Sequence, residues 1–197
     1  MNTMFHVSEI DEKIFARIDG KSYKKNCPLP LSELRYLRLA HKNFNGETAT
    51  GELICNVEIA AALTDIFKKL YAKNYPIEKI RLIDEYDADD ELSMRDNNSS
   101  CFNFRYVSHT NRISLHGYGL AVDINPLYNP YIKTVDGKKI IAPDNSAEFE
   151  DRTKDFPHKI TEDDLCVKLF AEHGFLWGGN CWDDEKDYQH FFIDKER

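Results

Sequence analysis

Two short stretches of the 197-residue chain combine residue types that can hold and use a metal ion. In the first, Ser114-Leu115-His116-Gly117-Tyr118-Gly119-Leu120-Ala121-Val122-Asp123, a histidine precedes two glycines and an aspartate sits inside an apolar strand. A carboxylate in that setting is costly unless it is paired or bound to a cation. The glycines let the backbone bend so that both side chains can face one point. In the second, Asp187-Tyr188-Gln189-His190-Phe191-Phe192, another histidine lies among strand-forming aromatics. Residues three apart in a flat strand point to opposite faces, so Asp187 is expected in the turn before the strand, which can bring it back beside His190. His116, Asp123 and His190 would give zinc three protein ligands and leave the fourth position for water, the arrangement of a catalytic site. Asp187 could then take the proton of a water whose pKa the metal has lowered to roughly 7. Either pair taken alone is equally a surface ion pair or a satisfied core group, and spacing does not separate these readings from metal binding.

The elements that must position these residues are legible to different degrees. Ile59, Leu63, Phe67 and Leu70 recur at helical spacing, which predicts a helix over about Val57–Lys73 with Asn56 as its N-cap and Asn74 and Pro76 as its end. A second helix is expected over about Glu162–His173, capped by Thr161 and stopped by Gly174. Strands are expected over Gly51–Cys55, Lys79–Ile83, Phe102–Val107, Gly119–Ile124 and Tyr188–Ile193. Leu31–Leu39 is ambiguous between helix and strand, and Asn45-Gly46 marks a turn. The first thirty residues read as irregular. The polar stretch Asp84–Ser100, with Asp87, Asp89, Asp90 and Glu91, reads as a solvated loop. Helices and strands do not alternate regularly, which favours an α+β fold with a small central antiparallel sheet and flanking helices. The length suits a single domain, 1–197, with residues 1–56 as a wrapping N-terminal segment and the motif-bearing core over about 57–193.

Composition narrows the partners. The formal charge is −8 and the sequence pI about 5.4, which argues against a nucleic-acid partner and against docking on an anionic bilayer. No stretch approaches the ~18 apolar residues of a membrane span. Five cysteines, an odd number without a CxxC pair, give little support to a disulfide framework or a Cys-rich zinc site. Met1–Glu12 lacks an apolar signal-peptide core, so either the protein acts inside the cell or an export signal has been removed.

Ser114–Asp123 resembles the SxHxxGxAxD signature of the M15 metallopeptidases, the D-alanyl-D-alanine carboxypeptidases and dipeptidases and the L-alanyl-D-glutamate endopeptidases. Asp187–His190 matches the second signature, an acidic residue, two residues, then histidine. Between and before them, Ser93-Met94, Asn97-Asn98-Ser99-Ser100, Phe102-Asn103-Phe104-Arg105, Asp123-Ile124-Asn125-Pro126, Asn129-Pro130-Tyr131 and Trp177-Gly178-Gly179 look like the D-alanyl-D-alanine carboxypeptidase branch. The resemblance runs from about Ile59 to Phe192.

That resemblance implies one Zn²⁺ per chain on His116, Asp123 and His190. It implies Asp187 as general acid/base, where the dipeptidase branch has a glutamate one methylene longer. It implies Arg105 as the cation that polarises the scissile carbonyl and holds the oxyanion. Ser114 matches the family's serine, suited to a supporting hydrogen bond or to substrate binding. The implied substrate is a peptidoglycan stem peptide or precursor, cleaved by a monomer, first as a D-Ala-D-Ala carboxypeptidase and second as an L-Ala-D-Glu endopeptidase. The implied architecture is also that of the hedgehog signalling domain, a non-enzymatic zinc-containing binding module, from which the base and the arginine set this chain apart. His109, His158 and His173 match no motif; His173 reads as a helix C-terminal residue. Trp177 and Trp182 read equally as cleft walls or core, and neither Cys101 nor Cys181 has the spacing of a nucleophile.

Overall fold

A computed structural model describes residues 4–107, 110–182 and 184–194; His109 lies outside them. The chain runs β1 (Phe5–Ser8), α1 (Glu12–Ile18), β2 (Leu34–Lys42), β3 (Thr48–Asn56), α2 (Val57–Ala72), β4 (Lys79–Ile80), α3 (Asp90–Arg95), β5 (Asn98–Ser99), β6 (Ala121–Asp123), β7 (Tyr131–Val135), β8 (Lys138–Ala142), α4 (Leu165–Glu172), β9 (Leu176–Trp177), α5 (Gly178–Cys181), β10 (Glu185–Asp187) and β11 (His190–Phe192). The class is α+β. Antiparallel pairing is divided among three three-stranded sheets, ordered β1-β2-β3, β10-β7-β8 and β6-β11-β9, with a short parallel pair β4-β5.

The β2–β3 hairpin turns at Asn45-Gly46 and is covered on both faces. Leu37, Leu39, Leu53 and Cys55 join a core built with Ile59, Leu63 and Phe67 of α2, while Leu34, Tyr36 and Ile54 join a second core with Ile18, Phe102 and Phe104. A strand buried on both sides loses the apolar–polar alternation, which is why its sequence reads ambiguously. The first thirty residues, expected to be irregular, supply β1, which pairs with β2 from Phe5↔Leu39 to Ser8↔Tyr36, and α1. α2 follows its sequence closely, with Asn56 accepting from the Glu58 N–H at 3.0 Å. α4 begins at Leu165, capped by Asp164 rather than Thr161, and ends at Glu172 beside Gly174.

Two expectations fail for one reason, the routing of hydrogen bonds. Asp84–Ser100 is not a solvated loop throughout: Asp84, Ser93 and Asn97–Ser100 are buried, while Glu85, Asp87, Asp89, Leu92 and Arg95 stay exposed. Asn97 spans Glu78 and Leu127, Asn98 spans Arg81 and Ser93, and the Ser99 hydroxyl accepts from Asn125 N. Its buried polar side chains replace water with main-chain and side-chain partners, which hydropathy cannot distinguish from solvation. Phe102–Val107 is extended but forms no continuous ladder: Phe102 N donates to Ile54 O, Asn103 N to His116 O and Phe104 N to Ser22 O, three unrelated segments, and pairing is confined to one antiparallel bridge, Tyr106 to Ile113. Strand β4 is likewise shorter than expected, giving way after Ile80 to a 3₁₀ turn from Ile83.

Candidate metal centre

The β6-β11-β9 sheet carries the site. Asp123 on β6 lies directly opposite His190 on β11, and cross-strand partners in an antiparallel pair present their side chains on one face. β6 is held from its other side by Ser100, whose N–H and C=O exchange bonds with Asp123 at 3.2 and 2.9 Å. His116 arrives from a 3₁₀ turn, Leu115–Tyr118, capped by the Ser114 hydroxyl. Gly119 ends that turn with φ +65°, and a Cβ there would lie 2.7 Å from Asn56 N. A side chain is therefore excluded on both conformational and steric grounds.

One donor atom from each of His116, Asp123 and His190 lies within 4.8 Å of the others. Asp123 Oδ1 is 2.9 Å from His190 Nδ1, and Asp123 Oδ2 is 3.1 Å from His116 Nε2. His116 Nε2 and His190 Nδ1 are 3.2 Å apart. The His116 Nδ1–H donates to the Cys101 carbonyl at 2.7 Å, which turns the Nε2 lone pair toward the cluster. Two imidazole nitrogens at that separation repel unless a cation or a proton lies between them. Two nitrogens and one carboxylate oxygen, almost wholly removed from water, are the donor set that a borderline cation such as Zn²⁺ prefers. Burial alone would push the Asp123 carboxyl up, but His116 and His190 outweigh it and hold it far below the usual carboxylate range. Burial alone would lower His116, and Asp123 outweighs it in the other direction.

Asp187 ends β10, whose partner β7 belongs to a different sheet. The two residues Tyr188 and Gln189 carry the chain from one sheet to the other. That turn is pinned by Trp177 Nε1–H donating to Tyr188 O at 2.9 Å and by Ile124 N–H donating to Gln189 O at 3.0 Å. Asp187 Oδ1 is buried without a hydrogen-bond partner among the described residues. Burial pushes its carboxyl up to about 7, with Asp123 and Asp90 adding to the shift and His190 and Arg105 opposing it.

Arg105 comes from the extended segment. Its Nη1 donates to Ser114 Oγ at 2.9 Å and its Nη2 to Asp90 Oδ2 at 2.5 Å, while its Nε is buried without a partner among the described residues. Burial works against its charge, but Asp90, Asp123 and Asp187 keep its pKa above the usual value. Ser114 Oγ accepts from Arg105 and from His116 N–H, so it faces the arginine and the ligand turn. All six residues singled out from the sequence therefore meet at one place. Asp90, which the sequence placed in a solvated acidic run, joins them. The Cys101 carbonyl does too, and a main-chain oxygen leaves no signal in residue type. Trp182 stands beside His190 with ring centres 6.3 Å apart and stacks on Phe192, whereas Trp177 is core. His158 stacks on Phe44, and His173 caps α4 with its Nε2 3.0 Å from Asp65. No disulfide joins the cysteines. Among the described residues no helix is long and apolar enough to cross a membrane.

An M15 peptidase family model described as D-alanyl-D-alanine carboxypeptidase matches residues 108–193. The segment contains His116, Asp123, Asp187 and His190; Arg105 and Asp90 precede it. No curated protein matches the chain, and no solved structure does.

Proposed function

We propose, from the match of residues 108–193 to an M15 peptidase family model, that the chain hydrolyses a peptide bond in peptidoglycan stem peptides with one zinc ion per chain, as a D-Ala-D-Ala carboxypeptidase. The observation that carries this reading is the buried, unpartnered Asp187 oxygen held beside a His–Asp–His donor set. Bound among those donors, zinc supplies Lewis acidity and brings the pKa of a water to roughly 7. Asp187 Oδ1 takes a proton from the attacking water and returns it to the departing amine, and a base near neutrality does this best. Arg105, a cation whose Nε has no hydrogen-bond partner among the described residues, stabilises the carbonyl oxygen, where charge accumulates in the transition state. Ser114 orients both Arg105 and the His116 turn. The surrounding hydrogen bonds fix these groups before substrate arrives, so little reorganisation accompanies the reaction.

Mass-spectrometric product analysis tests the proposal, using zinc-loaded protein, a stem pentapeptide ending in D-Ala-D-Ala, and an Asp187→Ala control. Loss of one terminal alanine, absent in the control, is the expected result. Cleavage after the first L-Ala would keep the chemistry and assign the endopeptidase bond. No cleavage of any stem peptide by protein holding one zinc would refute the enzymatic reading in favour of a hedgehog-type binding module.

A further inference from the structure

We infer that Asp90 is a positioning residue that aims the Arg105 guanidinium; the inference rests on the reaction proposed above. The sequence gives Asp90 no distinction within its acidic run, and the family match begins beyond it. The fold singles it out. Its carboxylate and the Arg105 guanidinium are each less than one-third exposed, and they meet at 2.5 Å.

The carboxylate is held still from its own side. Asp89 caps α3 by accepting from Leu92 N–H at 3.0 Å, buried Ser93 accepts from Asn98 Nδ2 at 3.0 Å, and Glu91 accepts from Asp144 N–H at 2.6 Å. The lead-in to α3 is also tied to the arginine's own segment, since Asn103 Nδ2 donates to Ala88 O at 3.2 Å. Two contacts therefore fix the Asp90 region against residues 103–105, one through main chain and one through charge.

The consequence lies in the geometry of the guanidinium. It is a rigid planar fork, so two anchored Nη groups determine where the remaining edge points. Asp90 holds Nη2 and Ser114 holds Nη1, which leaves the buried Nε as the one guanidinium nitrogen with no hydrogen-bond partner among the described residues. Asp90 is thus the anchor that turns a mobile cation into an aimed hydrogen-bond donor. A salt bridge serving only the fold would contribute to stability independently of Arg105's part in turnover. A positioning contact acts through Arg105 alone.

The test uses the full-length, zinc-loaded protein as wild type, Asp90→Asn, Asp90→Glu, Arg105→Ala and the Asp90→Asn/Arg105→Ala double variant, assayed on the stem pentapeptide. Asp90→Asn is expected to lower kcat by roughly 10- to 100-fold, the scale of a ~1 Å misplacement of a catalytic group. Zinc content should be retained and KM held within about threefold, because ground-state binding is not what Asp90 supplies. In the Arg105→Ala background the same change should cost no more than about twofold, since two residues acting through one group are not additive. Asp90→Glu, which keeps the charge, should recover part of the loss. A separate readout does not depend on turnover: the ¹⁵N guanidinium resonances of Arg105 should be resolved in wild type and averaged in Asp90→Asn. An undiminished kcat in Asp90→Asn, an equal loss in the Arg105→Ala background, or unchanged guanidinium resonances would each overturn the inference. Averaged resonances in a protein that binds zinc but cleaves no stem peptide would uphold the aiming of Arg105 and remove the peptidase reading instead.

Discussion

Replacing Gly178 with alanine tests whether the placement of Asp187 sets the rate. Gly178 opens α5, and its φ lies outside the left-handed region, so the backbone accepts alanine and space is the only obstacle. A Cβ at this position would fall 2.5 Å from Asp187 O and 2.9 Å from Asp187 Cβ. Reaching ordinary contact at 3.4 Å requires a displacement of about 0.9 Å. The obstacle is main chain, so rotation of a side chain cannot relieve it, and the turn joining β10 to β11 must move. Misplacement of about 1 Å in a catalytic group costs on the order of 10²-fold in rate. The overpacking itself should cost about 1–3 kcal/mol, a fall in Tm of roughly 2–4 °C per kcal/mol at this size. His116 and Asp123 lie on other elements, and His190, though it follows the turn, is paired with Asp123 in the β6–β11 ladder, so zinc stoichiometry should survive. The assay is kcat on the stem pentapeptide, with zinc measured by atomic absorption and Tm by circular dichroism on the same sample. A folded, fully loaded Gly178→Ala protein with wild-type kcat would refute the link between this packing contact and catalysis.

Asp187→Asn should retain zinc and lose at least ~10²-fold in kcat, the contribution of a positioned base. In wild type the base works only when ionised, so kcat should rise with pH through the Asp187 pKa and fall below it. Burial pushes that group up from 3.8 to about 7, and a bound cation pulls it back, so the acid limb should lie between these values; a pH–rate profile with no limb there would exclude Asp187 as the base. Removing zinc with a chelator should lower Tm, since a ligand at 1,000 times its Kd stabilises by about 4 kcal/mol, and the shift should vanish in His190→Ala; calorimetry with and without added zinc reads both. Leu63→Ala, at a fully buried α2 position, should cost about 2–5 kcal/mol in urea unfolding, without changing zinc content in the folded fraction.

What the sequence determined by itself was local. Helix α2 and its Asn56 cap are visible because helical periodicity and capping are written within about seventeen residues. The two metal motifs are visible because an ionisable residue among strand-formers is costly wherever the chain takes it, and the α+β class follows from the order of such segments. A turn before His190 follows from strand geometry, but it falls at Tyr188-Gln189, and Asp187, expected in it, instead ends strand β10 paired with Tyr131. Tertiary structure decided what depends on pairing at a distance. His116 and His190 are 74 residues apart and meet only because β6 and β11 pair in one register. The buried polar run Asn97–Ser100 and the ladderless stretch Phe102–Arg105 have compositions that suit a loop and a strand, and only the routing of their hydrogen bonds makes them scaffold. Asp90 shows the difference most plainly. Its residue type and neighbours match those of a solvated surface acid, and its meaning comes from Arg105, fifteen positions away, being brought within 2.5 Å. A side chain's chemistry is local, but its partner is set by the fold, because desolvation and hydrogen-bond geometry exist only once distant segments have packed.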